Sequence, residues 1–295
     1  EAQLEELLAS QIDNLRKKGT KAQIAFFGGS FTAIDKDYMI RLLAIAKRFV
    51  DEYPDCYDGI RCSTRPDCID EQTLDILRSY GMTAIELGAQ SMNDEVLSAN
   101  RRGHTAEDVR RASRLIKQYG FELGLQMMTG LYKDTPQYCI DTAREFIKLG
   151  CATVRIYPTV ILKNTELCRL QSEGLYDSFT FEQTTQLCAK LLKMFGDAGI
   201  TVIRMGLHAS RDVEENMTGG VYHPALREIA ESILYLEKMN DMFVDGGKYI
   251  IYTDKRNISK IIGQGGKNRT ELARRGISFS IKEEKGTDIR AERIG

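Results

Sequence analysis

The sequence contains no apolar run approaching the roughly 18 residues needed to cross a bilayer, and no secretory signal opens it. It also lacks closely spaced cysteine pairs. Its seven cysteines, Cys56, Cys62, Cys68, Cys139, Cys151, Cys168 and Cys188, show neither metal-ligand spacing nor the density of a secreted disulfide framework. Both patterns point to reduced, buried thiols in a cytoplasmic protein away from the membrane. Histidine is scarce, with three in the chain, and charge of neither sign dominates: 41 Lys and Arg stand against 42 Asp and Glu. There is no initiator methionine. Glu1 falls directly into the amphipathic pattern Leu4, Leu7, Leu8, Ile12, Leu15, which suggests a trimmed start.

What the sequence does have is a repeated unit. Gln23 to Phe27 is an apolar run too short for a helix, halted by Gly28-Gly29-Ser30 and followed by an amphipathic helix from Asp35 to Tyr53. That reads as a buried parallel strand whose glycine end faces a ligand, because glycine lets backbone approach a bound group with no side chain between. The unit recurs, with strands at Gly59 to Thr64, Thr83 to Leu87, Leu123 to Met128, Thr153 to Val160 and Ile200 to Met205, separated by helical stretches. Six strands alternating with helices define an α/β chain with a parallel sheet. Polar residues recur at the strands' carboxyl ends: Ser30, Ser63 and Arg65, Gln90 and Ser91, Gln126, then Tyr157. This favours a partial barrel with one mouth over an open sheet.

Beyond Leu207 the pattern changes. We expect a barrel over residues 1–207, a helical extension over 208–245 and a small basic α+β domain over 246–295, with Asp245-Gly246-Gly247 as the boundary. Twelve Lys and Arg against six Asp and Glu follow Asp245, so the two ends of the chain suit different partners.

Five ordered blocks then carry a family resemblance: Phe27-Gly28-Gly29-Ser30-Phe31-Thr32, Thr64-Arg65-Pro66-Asp67, Glu86-Leu87-Gly88-Ala89-Gln90-Ser91, Arg102-Gly103-His104-Thr105 and Tyr157-Pro158-Thr159. Together they resemble the radical S-adenosylmethionine (SAM) domain of the Elongator catalytic subunit, in the short bacterial form without an acetyltransferase domain. The resemblance implies a partial (β/α)6 TIM-like barrel binding SAM and a 4Fe-4S cluster, reductive cleavage of SAM to a 5′-deoxyadenosyl radical, and an external electron donor. By position, Gly28, Gly29, Ser30, Ser63, Gln90, Arg102 and Gln126 would hold the cofactor. Arg102 would pair with the methionyl carboxylate, to which a guanidinium offers two parallel charge-assisted bonds. Arg65, His104, Tyr157 and His223 would meet substrate. Arg102 next to Arg101 equally suits a solvated helix end, and each histidine a structural place.

Two departures stand out. The family's C-x3-C-x2-C cluster loop is missing, so its cysteines are expected upstream of residue 1 and this chain alone is expected to be inactive. Ser63 stands where a glutamate is often found. In the tail, Gly263-Gln264-Gly265-Gly266-Lys267 resembles the G-x-x-G loop of a KH domain, in which bare backbone clamps the phosphates of single-stranded nucleic acid. Lys260, Lys267, Arg269, Arg274 and Arg275 could supply the charge. The resemblance therefore points to an RNA substrate, with tRNA foremost. A small-molecule or tetrapyrrole substrate and a non-catalytic RNA-binding protein are the alternatives.

Overall fold

The computed structural model describes residues 1–295. Its backbone forms two compact units, Glu1–Tyr157 with Ala198–Arg204, and Pro158–Asp197 with Met205–Gly295. No helix is long and apolar enough to cross a membrane.

The first unit opens with α1 (Ala2–Lys18), which buries Leu8 and Ile12 and ends at Gly19, φ 60°. Strand β1 (Ala22–Phe26) leads through the glycine turn to α2 (Lys36–Glu52), capped by Asp35, whose carboxylate accepts Tyr38 N–H at 2.9 Å. The same device recurs down the chain. After β2 (Tyr57–Thr64), Asp70 caps α3 (Glu71–Ser79); after β3 (Met82–Gln90), Asn93 caps α4 (Asp94–Ala99). A reciprocal Thr105–Asp108 pair then caps α5 (Ala106–Gln118). Strand β4 (Glu122–Thr129) precedes α6 (Pro136–Leu149), which starts on a proline and stops at Gly150, φ 66°. Strand β5 (Thr153–Pro158) follows. The chain leaves this unit for β6 (Val160–Leu162), α7 (Glu166–Ser172) and α8 (Phe181–Asp197), then returns as β7 (Thr201–Met205).

The sheet has six strands in the order β1-β2-β3-β4-β5-β7, with β1–β2, β2–β3 and β3–β4 parallel. This is the expected partial barrel of α/β type. The expected fifth strand, Thr153 to Val160, splits at Pro158: proline has no N–H to continue the ladder, and Val160–Leu162 pairs elsewhere.

Below the strand tips, Glu86 of β3 is almost fully buried, with its side chain 3% exposed, between two arginines. Arg61 of β2 reaches it at 2.6 Å and Arg155 of β5 at 2.5 Å. Reaching β5 means crossing β4, and Gly124 makes that possible: a Cβ there would lie 2.6 Å from Glu86 Cγ. Both guanidiniums also sit over the Phe27 ring, 6.0 and 4.9 Å from its centroid.

In the second unit, β6 pairs antiparallel with β8 (Met217–Gly220), which follows α9 (Arg211–Asn216). Then come α10 (Leu226–Met242), β9 (Lys248–Thr253), α11 (Ile258–Ile262), α12 (Lys267–Arg274), β10 (Ser278–Glu283) and β11 (Arg290–Arg293). The three-stranded sheet β10-β9-β11 shares one core with α10, since Tyr235, Met239 and Phe243 pack with Tyr249, Ile251, Ile261, Leu272 and Ile277. The chain around residue 246 lies within this second unit, where α10 adds Tyr235 and Met239 to the core under the small sheet.

Candidate functional site

At the carboxyl ends of β1 to β4 lies a cavity of about 310 Å³ lined by Gly28, Gly29, Ser30, Ser63, Thr64, Arg65, Gly88, Gln90, Arg102 and Gln126. All seven residues expected to hold a cofactor are in that set, as is Arg65. Gly88 and Thr64 are additions. Gly88 was detectable as the glycine two residues before Gln90, where a Cβ would come 2.9 Å from the Gln90 amide.

Local backbone explains the convergence. Gly28 sits at φ 104°, which only glycine tolerates easily, and neither it nor Gly29 faces any atom within 4 Å where a Cβ would be. The β1 tip is thus bare backbone, with Ser63 Oγ donating to Gly29 O at 3.4 Å. At the β3 tip the register slips between Leu87 and Gln90, and Gln90 takes φ 66°, unusual for a side-chain-bearing residue. That kink turns its amide inward, where it accepts from Gln126 Nε2 at 3.5 Å. The turn after α4 uses two more left-handed residues, Arg101 (φ 51°) and Gly103 (φ 76°), and presents Arg102 to the cavity.

The electrostatics single out Arg102. Burial, followed by repulsion from the Arg65 guanidinium, pulls it below the ordinary arginine value. Arg65 is neutralised by Asp67, whose carboxylate accepts its Nε at 2.9 Å and its terminal nitrogen as well. Arg102 makes no ion pair, and its buried Nε finds no acceptor. A half-buried guanidinium without a carboxylate, beside bare glycine backbone and two amides, suits a ligand that carries its own carboxylate.

The other expected contacts lie elsewhere. His104 does not reach the cavity. It is 6% exposed, with Nε2 3.0 Å from Ala89 O of β3 and a buried, unpartnered Nδ1. Tyr157 stands half-buried at the β5 tip and helps hold the Arg155 guanidinium. His223 belongs to the second unit, where its Nδ1 accepts Ala225 N–H at 3.0 Å and its Nε2 lies 3.2 Å from the Gln264 amide. There Gly263, Gly265 and Gly266 adopt φ 76°, 61° and 76°. Of the five basic residues expected to surround this loop, Lys260 is paired with Glu231, Arg274 with Glu271 and Arg275 with Asp245. Lys267 and Arg269 are in no ion pair, and Arg269 lies over the Phe279 ring.

The cysteines are all free, and five are buried. Burial pushes the Cys62, Cys151 and Cys188 thiols up to about 12. No three His, Cys, Asp or Glu side chains gather as a metal-holding set.

A parallel half-barrel whose strand tips converge on bare glycine backbone and an unpaired arginine defines the class, and the chain belongs to the radical SAM superfamily. Residues 3–146 match the superfamily pattern and residues 151–237 match that of the radical SAM C-terminal domain. These are enzymes that use S-adenosylmethionine and a 4Fe-4S cluster. More particularly, the chain is similar to Elongator complex protein 3. It is 28% identical to the human protein over 255 residues, which cover 79% of this chain and 45% of that protein. An uncharacterized protein of Methanocaldococcus jannaschii is 28% identical over 195 residues, 64% of this chain and 59% of that one. The solved structure of Methanocaldococcus infernus Elp3 with residues 1–46 deleted superimposes with a TM-score of 0.67 at 22% identity, over 80% of this chain and 59% of that chain. The chain thus spans about half the length of these relatives. Its own residues fit the methionine end of the sulfonium cofactor. They do not fit the cluster, whose thiolate ligands are not among these seven separated cysteines.

Proposed function

We propose that this chain forms the cofactor- and RNA-binding body of a radical SAM enzyme that modifies a base in RNA, with tRNA as the foremost candidate. The observation that carries the cofactor half is the unpaired, half-buried Arg102 in a cavity that otherwise offers glycine backbone and amides. Bound there, S-adenosylmethionine would supply hydrogen-abstracting radical chemistry at the barrel mouth. The chain's residues bind and orient. Arg102 takes the carboxylate through its guanidinium fork, the Gly28–Gly29 edge takes the ammonium on backbone carbonyls, and Gln90 and Gln126 hold ribose or methionyl groups. Ser63 gives the ammonium weaker compensation than a carboxylate would.

The RNA half draws on the resemblance to the Elongator catalytic subunit, whose chemistry is directed at wobble uridine, and on the Gly263–Gly266 loop with its unpaired Lys267. A flipped-out base would enter the barrel mouth, with Arg65 and Tyr157 nearest its path. The expected setting is cytoplasmic, with a separate electron donor.

Calorimetric titration of the chain with S-adenosylmethionine tests the cofactor half. Saturable binding is expected, and Arg102→Lys should weaken it about tenfold or more, since lysine cannot reproduce the paired bonds. Equal binding by both proteins would overturn the assignment.

A further inference from the structure

We infer that Phe181 and His223, together with Gln264, form a shelf on which one unpaired RNA base stacks while the Gly263–Gly266 loop holds its phosphate. The inference rests on the RNA reading and gives that loop a second, base-contacting part in the radical SAM C-terminal domain.

Helix α8 begins with a reciprocal cap: Thr180 N–H is accepted by the Gln183 amide at 3.0 Å, and Gln183 N–H by the Thr180 hydroxyl at 3.1 Å. That cap fixes the first turn and leaves Phe181, its first residue, 47% exposed, while Thr184, Leu187, Cys188, Leu191 and Phe195 occupy the buried face. The helix does not need this ring for its core. The imidazole of His223 meets the Phe181 ring edge-on, with centroids 6.0 Å apart and planes at 63°.

His223 is itself oriented. Its Nδ1 accepts Ala225 N–H, which leaves Nε2 as the donor of the neutral ring; Gln264 Nε2 lies 3.2 Å from it, and exchanging the two ends of that amide, which are alike in shape, brings the oxygen there as acceptor. Gln264 is the first residue inside the glycine loop, so phenyl, imidazole, amide and bare backbone follow one another in direct contact. The loop's inner side is anchored. A Cβ on Gly263 would come 2.9 Å from Asn268, whose amide donates to Ser232 O at 2.8 Å and Lys260 O at 3.1 Å. At Gly265 and Gly266 a Cβ would meet nothing, so the outer side is open to a phosphate.

These are the parts that single-stranded RNA recognition combines: a π-face for stacking, an adaptable amide for the base edge, and backbone plus cation for the phosphate. Gln264 spans the gap between loop and ring much as a sugar spans phosphate and base. An exposed ring that meets an imidazole, itself in contact with an amide, offers a base both a π-face and partners for its edge.

The test is binding of the chain to a short single-stranded RNA carrying one 2-aminopurine, read by anisotropy and by the fluorescence of that base at several salt concentrations. Wild-type protein should bind and change the 2-aminopurine emission. Phe181→Ala should bind about 5- to 150-fold more weakly, with the salt dependence unaltered and the emission change lost. Phe181→Tyr, which keeps a π-face, should bind as wild type. Phe181→Leu, which keeps apolar bulk without one, should behave as Phe181→Ala and stands in for it if that variant does not fold. Lys267→Glu reports on the RNA reading itself. If it weakens binding while Phe181→Ala and Phe181→Leu do not, the shelf is overturned and the RNA reading stands. Wild-type protein that fails to bind RNA at low salt overturns both.

Discussion

Glu86 shows how much of this protein's chemistry is decided by single buried charges. Its carboxylate is hidden among two guanidiniums that are 15% and 19% exposed, so its removal leaves two cations facing each other in a poorly solvated layer. Glu86→Gln is expected to lower unfolding stability by about 3–5 kcal/mol in urea titration, the usual consequence of breaking a buried ion pair. A loss below about 1 kcal/mol would mean that water reaches the triad. Asp134 and Asp70 carry opposite pH signatures. Burial raises the Asp134 carboxyl above the ordinary value, although Cys139 Sγ and several backbone N–H groups oppose it. A raised group contributes stability that is complete below its unfolded pKa and is lost as pH rises through its folded one. The Thr73 backbone N–H, and then the Thr73 side chain, lower Asp70, which contributes above its unfolded pKa and ceases to as pH falls through the folded one. Asp134→Asn should therefore flatten the decline in stability on going from acid to neutral pH, whereas Asp70→Asn should flatten the acid limb. Urea midpoints measured across pH distinguish them. Among the thiols, Cys168 is half-buried while Cys62, Cys151 and Cys188 are buried and pushed up to about 12. Native alkylation near neutral pH should label Cys168 and leave those three untouched, as peptide mass spectrometry would show.

At the scale of elements, the strand–helix alternation was legible because most barrel strands are apolar runs closed by glycine or proline, and helices α2 to α7 each start on Asp, Asn or Thr. The helix starts at Asp35 and Asp70 follow from that chemistry, and the start of α6 from Pro136 at its first position; the Thr135 cap before it is seen only in the fold. Strands β6, β8 and β11 were not legible: they are three or four residues long, and their partners lie far away in sequence. Nor could the sequence reveal that Gln90 would be turned by a left-handed backbone, or that Arg102 would lack a carboxylate while its neighbour Arg65 had one. Both depend on which groups the folded sheet brings near. For His104 the sequence left a substrate contact and a structural place both open, since a histidine after a tight turn can face either way until the helix it precedes is packed; the folded chain buries it against Ala89 O. Gly124 is the element-scale counterpart of Glu86. Gly124→Ala places a methyl 2.6 Å from Glu86 Cγ and 2.9 Å from Thr153 Oγ1, so the salt bridge or the β4 backbone must shift. A loss of about 1–3 kcal/mol is expected in thermal or urea unfolding, and it should largely disappear in a Glu86→Ala background, because the overpacked atom is then gone.

For the molecule as a whole, charge is the property that separates its partners. The formal net charge is −1, yet the residues after Asp245 carry twelve basic against six acidic side chains, so any attraction to RNA is local. Composition alone would let five cations around the glycine loop meet phosphates. In the folded chain Lys260, Arg274 and Arg275 are held by Glu231, Glu271 and Asp245, which leaves Lys267 and Arg269. Each phosphate neutralised on a single strand contributes about −0.7 to the slope of log K against log salt, so two free cations give about −1.4 and five would give about −3.5. Binding of single-stranded RNA to the chain, measured across a salt series, should yield the shallower slope. Glu271→Gln, which releases Arg274, should steepen it by up to about 0.7, and Lys267→Glu should flatten it. A wild-type slope near the steeper value would mean that the RNA breaks the three ion pairs on binding. The loop would then be only one part of a wider basic surface.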